Sequence, residues 1–156
     1  MTPLLVLRSG LLGVVAGLRS SIPAAALAVG GLEPESRPLA LLATHGSRRL
    51  VVLAAAGELL VDKLPVTPDR VEKRGLVARV VSGALAGAML ASATGVRGGR
   101  LALPALAGAG GAYLGSWGGF AARRALGTGT GLPDPVVAVA EDLVAVGLAA
   151  VAVRGA

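Results

Sequence analysis

The sequence predicts an all-α polytopic membrane helix bundle with about five transmembrane helices. Three observations predict it. Of the 156 residues, 54% are hydrophobic and only 15% charged, with a mean hydropathy of +0.74. Soluble domains carry charge at about a quarter of their positions. The apolar mass is Ala, Val and Leu with 24 Gly and one each of Trp, Tyr and Phe. That composition suits close helix approach in lipid and supplies no aromatic belts. Finally, the basic residues fall between apolar runs without aromatic interleaving. The net charge of +6 therefore reads as membrane-flanking charge, and no nucleic-acid partner is expected.

The predicted helices cover about 3–30, 41–64, 68–96, 101–126 and 135–153, in one transmembrane domain. The first contains Arg19 and Pro23, and Pro removes a backbone donor, so a kink or break is expected near Leu18–Pro23. Ser20 and Ser21 can satisfy the freed carbonyls. An Arg at mid-bilayer costs about 2.5–3.5 kcal/mol, so Arg19 should face the interior and a carboxylate. Ala24–Ala26 offers a peptidase site, but the poor basic n-region and Arg19 argue against a cleaved signal peptide. Gly31–Arg49 reads as a polar connection, with His45 a solvated loop residue.

The second helix ends on Glu58, Asp62, Lys63 and Pro65. Glu58 and Asp62, four apart, share one helix face. Thr67-Pro68-Asp69 reads as a helix start with Thr as N-cap. Val80–Val96, 17 residues, carries no charge and is at the lower limit for a span. Arg97-Gly-Gly-Arg100 reads as a tight turn, and Leu101–Ala122 as the cleanest span, closed by Arg123-Arg124. Asp134-Pro135 opens the fifth helix, which holds Glu141-Asp142. Small residues recur every four positions at Gly13 and Gly17; at Gly83, Gly87, Ala91 and Gly95; and at Gly111, Gly115 and Gly119. Each series predicts a face for a neighbouring helix, within or between subunits, so a homo-oligomer is one possible use.

With five spans, eight Lys/Arg fall on the N-terminal side and six on the other, with Arg19 inside. This bias favours a cytoplasmic N-terminus. At helical rise, Glu58 lies about 7–8 Å and Glu141 about 9 Å inward from that side. Four helices thus bring Glu58, Asp62, Arg79, Arg123, Glu141 and Asp142 to one level, with Arg19 somewhat deeper.

These residues carry a resemblance. Ala16-Gly-Leu-Arg-Ser20 with Pro23, Glu58-Leu-Leu-Val-Asp-Lys-Leu-Pro65, Arg79 with the following Ser-Gly-Ala-Leu-Ala-Gly, and Pro133–Ala145 around Glu141-Asp142 resemble the domain-of-unknown-function 4126 family of small bacterial membrane proteins. The resemblance implies an integral protein of the bacterial inner membrane. It implies no reaction or substrate.

Ionisable residues inside a membrane are functional-site candidates. The candidate ion or solute site comprises Arg19, Ser20, Glu58, Asp62, Arg79, Arg123, Glu141 and Asp142. Glu58 and Glu141 are read as the exchanging pair, Arg19 as their counter-ion, and Asp62 and Arg123 as orienting groups. The expected function is transport or conduction of protons, ions or a small solute. The alternative is a static salt-bridge network in a non-transporting structural or accessory membrane protein. With no Cys, no HExxH and a single His, no enzyme, metal or cofactor is expected. The expected partner is the lipid bilayer.

Overall fold

The computed structural model describes residues 1–30, 44–61, 73–129 and 134–154. The described residues form six α-helices and one 3-10 turn, with no strand among them. The helices are α1 (Pro3–Leu18), α2 (Ile22–Val29), α3 (His45–Val61), α4 (Lys73–Ala93), α5 (Ala102–Gly129) and α6 (Asp134–Val153). Gly75–Ala93 and Pro135–Val153 are each long and apolar enough to cross a membrane.

The first predicted helix is two helices. Thr2 caps α1, its hydroxyl accepting from the Leu5 amide at 3.4 Å, and Pro3 occupies the first turn, where a missing donor does no harm. The chain leaves the helix at Arg19, which is extended at φ −144° and ψ 112°. Pro23 explains the position. In a continuous helix its ring would meet the Arg19 carbonyl four residues back, and it has no N–H to offer that carbonyl. Placed instead in the first turn of α2, Pro23 fits.

Other boundaries differ from the sequence reading. His45, read as a solvated loop residue, begins α3, which starts a turn inside the predicted helix over 41–64, behind Thr44, whose hydroxyl accepts from the Ser47 amide at 3.3 Å. The predicted helix over 68–96 ends at Ala93. The amides of Thr94 and Val96 turn back to the Ala91 carbonyl, Gly95 takes φ +82°, and the Arg97 guanidinium donates to the Ser92 carbonyl at 2.7 Å. The left-handed glycine stops the helix, and Arg97 adds a second donor to the Ser92 carbonyl, which already accepts from the Gly95 amide at 3.2 Å. Gly95 is therefore a cap and no part of a packing face. Helix α5 runs to Gly129, three residues beyond the predicted end. The expected helix start at Thr67-Pro68-Asp69 lies outside the described residues.

Helix α1 is the centre. It packs most extensively on α5, then α4, then α6, while α2 lies against α3, α6 and α4. Leu12, Val15 and Ala16 on α1 are fully buried. Small residues set how near these helices come. A Cβ on Gly13 would collide with the backbone of Gly108, and one on Gly17 with the backbone around Ala112–Ser116. A Cβ on Gly83 would strike Gly108, one on Gly87 would strike Pro104, and one on Gly111 would strike Gly10. Backbone thus meets backbone at both crossings, which is the close packing that small residues permit in the absence of bulky side chains. Ser9 adds a buried link, its hydroxyl donating to Leu5 within α1 at 2.9 Å and reaching the Gly87 carbonyl of α4 at 3.4 Å.

Candidate functional site

The break at Arg19–Ser21 exposes two helix ends inside the molecule. The last carbonyls of α1 and the first amides of α2 have no partner within their own helices. The end of α1 carries a partial negative charge and the start of α2 a partial positive one. Charged side chains from other helices meet each end with the complementary sign.

At the end of α1, Arg79 from α4 donates through one guanidinium nitrogen to the carbonyls of Gly17 (2.7 Å) and Leu18 (2.9 Å). Ser116 of α5 donates to Ala112 at 2.8 Å and shares the Gly17 carbonyl at 3.3 Å. Ser82, one turn beyond Arg79, donates to the carbonyl of Ser20 at 2.6 Å. At the start of α2, Glu58 from α3 places one oxygen on the amide and hydroxyl of Ser20 (2.8 and 2.7 Å). Its other oxygen takes the amide of Ser21 at 2.8 Å and a very short bond from the Ser21 hydroxyl. Four donors thus hold one carboxylate, two of them backbone amides at a helix start, the arrangement by which helix N-termini bind anions.

Arg19 sits between these ends and is fully buried. Its Nε and Nη2 both reach one oxygen of Asp142 on α6, at 2.7 and 2.6 Å. Helices α3, α4 and α6 therefore deliver a carboxylate, a guanidinium and a carboxylate to residues 17–21 of the first helix. Two cations and two anions balance there. Burial is graded: Arg19 and Asp142 are buried, whereas Ser20, Ser21, Glu58 and Arg79 are half-buried.

The sequence-derived roles need three corrections. Ser20 and Ser21 do not satisfy freed carbonyls; their hydroxyls donate to Glu58, and Arg79, Ser82 and Ser116 take the carbonyls. Arg19, expected as the counter-ion of Glu58 and Glu141, places its Nε and Nη2 on Asp142. Adjacent residues on a helix point about 100° apart, so Asp142 faces Arg19 while Glu141 lines a separate groove with Arg123. Asp62 lies outside the described residues. The sequence reading overlooked Ser82 and Ser116. A second four-residue series on α5, Pro104, Gly108, Ala112 and Ser116, is buried throughout and marks the face that carries Ser116.

Among the described residues no group of three or more His, Cys, Asp or Glu is arranged to hold a metal. Ser82→Ala, which leaves the Ser20 carbonyl without its donor, is expected to lower stability by about 1 kcal/mol in a denaturation series. No family model, curated protein or solved structure matches this chain.

Proposed function

We propose that this chain is a small integral membrane protein that passes a proton, an ion or a small solute, with the broken first helix as its site. On this reading five segments cross the bacterial inner membrane, α1 and α2 together forming the first, and the N-terminus is cytoplasmic. The likeness to the 4126 family belongs to the same reading. The observation that carries it is the Glu58 carboxylate, half-buried, on four donors at an interrupted helix. Interrupted helices whose ends face a charged group are how many transporters build a site at membrane depth. Ion pairs and hydrogen bonds satisfy irregular backbone that lipid would leave unmet. Glu58 is the exchanging group, Ser20 and Ser21 its ligands, and Arg19–Asp142 the fixed pair behind it.

The static reading keeps one specific support. Arg79 and Glu58 each match the sign of the helix end they meet, so the same contacts also hold two half-helices in register. Flux separates the two. In liposomes holding the purified protein, the native chain is expected to dissipate an imposed ion or pH gradient, and Glu58→Gln to abolish that flux while still folding. Native flux no greater than that of empty liposomes under every gradient would leave only the static reading.

A further inference from the structure

The cradle around Glu58 is built of donors. Ser20 gives its amide and hydroxyl to one carboxylate oxygen, and Ser21 gives its amide and hydroxyl to the other. An amide N–H cannot turn round to accept, so a cation or an amine finds no ligand in the two amides. A planar group with two acceptor oxygens side by side fits all four donors. Glu58, carried in from α3, is that group here. Glu58, Ser20 and Ser21 are half-buried, so the cradle lies within reach of a ligand.

The space beside the cradle has a complementary character. A groove of about 580 Å³ lies between α2, α3 and α6, within the roughly 300–1,000 Å³ range of ligand sites. It begins next to the cradle, since Ile22 follows Ser21 directly and Ala55 stands one turn before Glu58. From there it follows α2 to Gly30, about 12 Å of helix. Twelve of its thirteen lining residues are Gly, Ala, Val or Ile, and the other is Arg154 at the far end. The wall between the cradle and Arg154 thus suits a hydrocarbon chain.

We propose, on the reading of the broken helix as the site, that its solute is a short aliphatic carboxylic acid. The carboxylate takes the place of Glu58 on Ser20 and Ser21, and the chain lies along α2 in the groove. The acid arrives neutral, its O–H proton passes to Glu58, and the new carboxylate takes the four donors as Glu58 withdraws. Protonated Glu58 carries an O–H of its own, which the amides cannot accept. One carboxylate occupies the cradle before and after, so the exchange adds no buried charge. Arg19 stays on Asp142 and Arg79 on the carbonyls of Gly17 and Leu18 throughout.

Glu58→Ala empties the cradle and leaves the groove. In detergent, its thermal midpoint by circular dichroism should rise with hexanoate, and at higher concentration with acetate, beyond the effect of chloride at equal ionic strength. Each buried methylene strengthens binding about fourfold, so hexanoate should half-saturate at least about tenfold below acetate. Hexanol, with the chain but no carboxylate, should give no such shift. Adding Ala56→Leu, on the groove wall, should remove the advantage of hexanoate over acetate. No gain over chloride overturns the proposal, as do equal half-saturation by the two carboxylates and an equal shift by hexanol. Loss of binding on adding Arg154→Gln would put the carboxylate at the opposite end and overturn it too. Should Glu58→Ala not fold, Ala56→Cys in the otherwise native chain decides. Saturating hexanoate should bring its reaction with a charged thiol reagent close to zero and acetate should not, and a rate unchanged by hexanoate overturns the proposal. None of these readouts needs flux. Flux in the native chain with no effect of hexanoate overturns this assignment and spares transport, and hexanoate binding without flux does the reverse.

Discussion

Asp142→Ala should lower the stability of the folded chain by about 3–5 kcal/mol, because it takes from the buried Arg19 guanidinium the carboxylate that its Nε and Nη2 meet. Arg19 is 0% exposed, so water cannot replace the lost partner. The effect should be far from additive. Arg19→Met with Asp142→Leu removes both charges together, and most of the loss should return, since an apolar pair of similar volume is often as stable as a buried ion pair. Detergent-unfolding midpoints of the two single variants and the double variant make this cycle. A double variant as unstable as the sum of the singles would show that the pair contributes little and that the losses come from repacking.

Gly108→Val should lower stability by about 2–3 kcal/mol, the upper part of the overpacking range. A Cβ there would run into the backbone of Gly83. No flexible side chain stands in the way to yield, so α4 would have to separate from α5. Gly110, two residues along, has nothing within 4 Å of such a Cβ. Gly110→Val should therefore change stability by no more than about 0.5 kcal/mol. Equal losses at both positions would mean that the composition of α5, rather than its crossing with α4, sets the effect.

Depth along a helix was legible in the sequence, and direction around it was not. Pro23 announces a break because a prolyl ring and a helical carbonyl cannot share one place, and the structure breaks within four residues of it. Glu58, Arg79 and Asp142 all reach residues 17–21, and the Pro and basic residues that mark the ends of apolar runs make that nearness readable. The choice between Glu141 and Asp142 as partner of Arg19 needs the rotation of α6, which both residues fit by composition. The role of Ser20 and Ser21 hid for another reason. The sequence directs attention to carbonyls freed by Pro23, but a break frees amides as well, and a nearby carboxylate competes for hydroxyls more strongly than a carbonyl does. Gly108, which meets Gly83, is masked in the sequence by the more regular Gly111–Gly115–Gly119 series beside it. Two faces of one helix can carry small residues, and only packing tells which neighbour takes each. The stop at Ala93 depended on Gly95 adopting a left-handed conformation, which an i, i+4 pattern reads as one more packing position.

Water at the break is the property on which the functional account stands. The chain has no Cys, so single cysteines report cleanly. Ser20→Cys and Ser21→Cys, in membranes, are treated with a small charged thiol reagent. Leu12→Cys, fully buried on α1, is the dry reference, and Arg49→Cys, exposed on α3, the wet one. Both break positions should react at rates between the two references, and gradients driving flux should change those rates. Break positions as unreactive as Leu12→Cys would contradict it and make the charged cluster a dry brace between two half-helices.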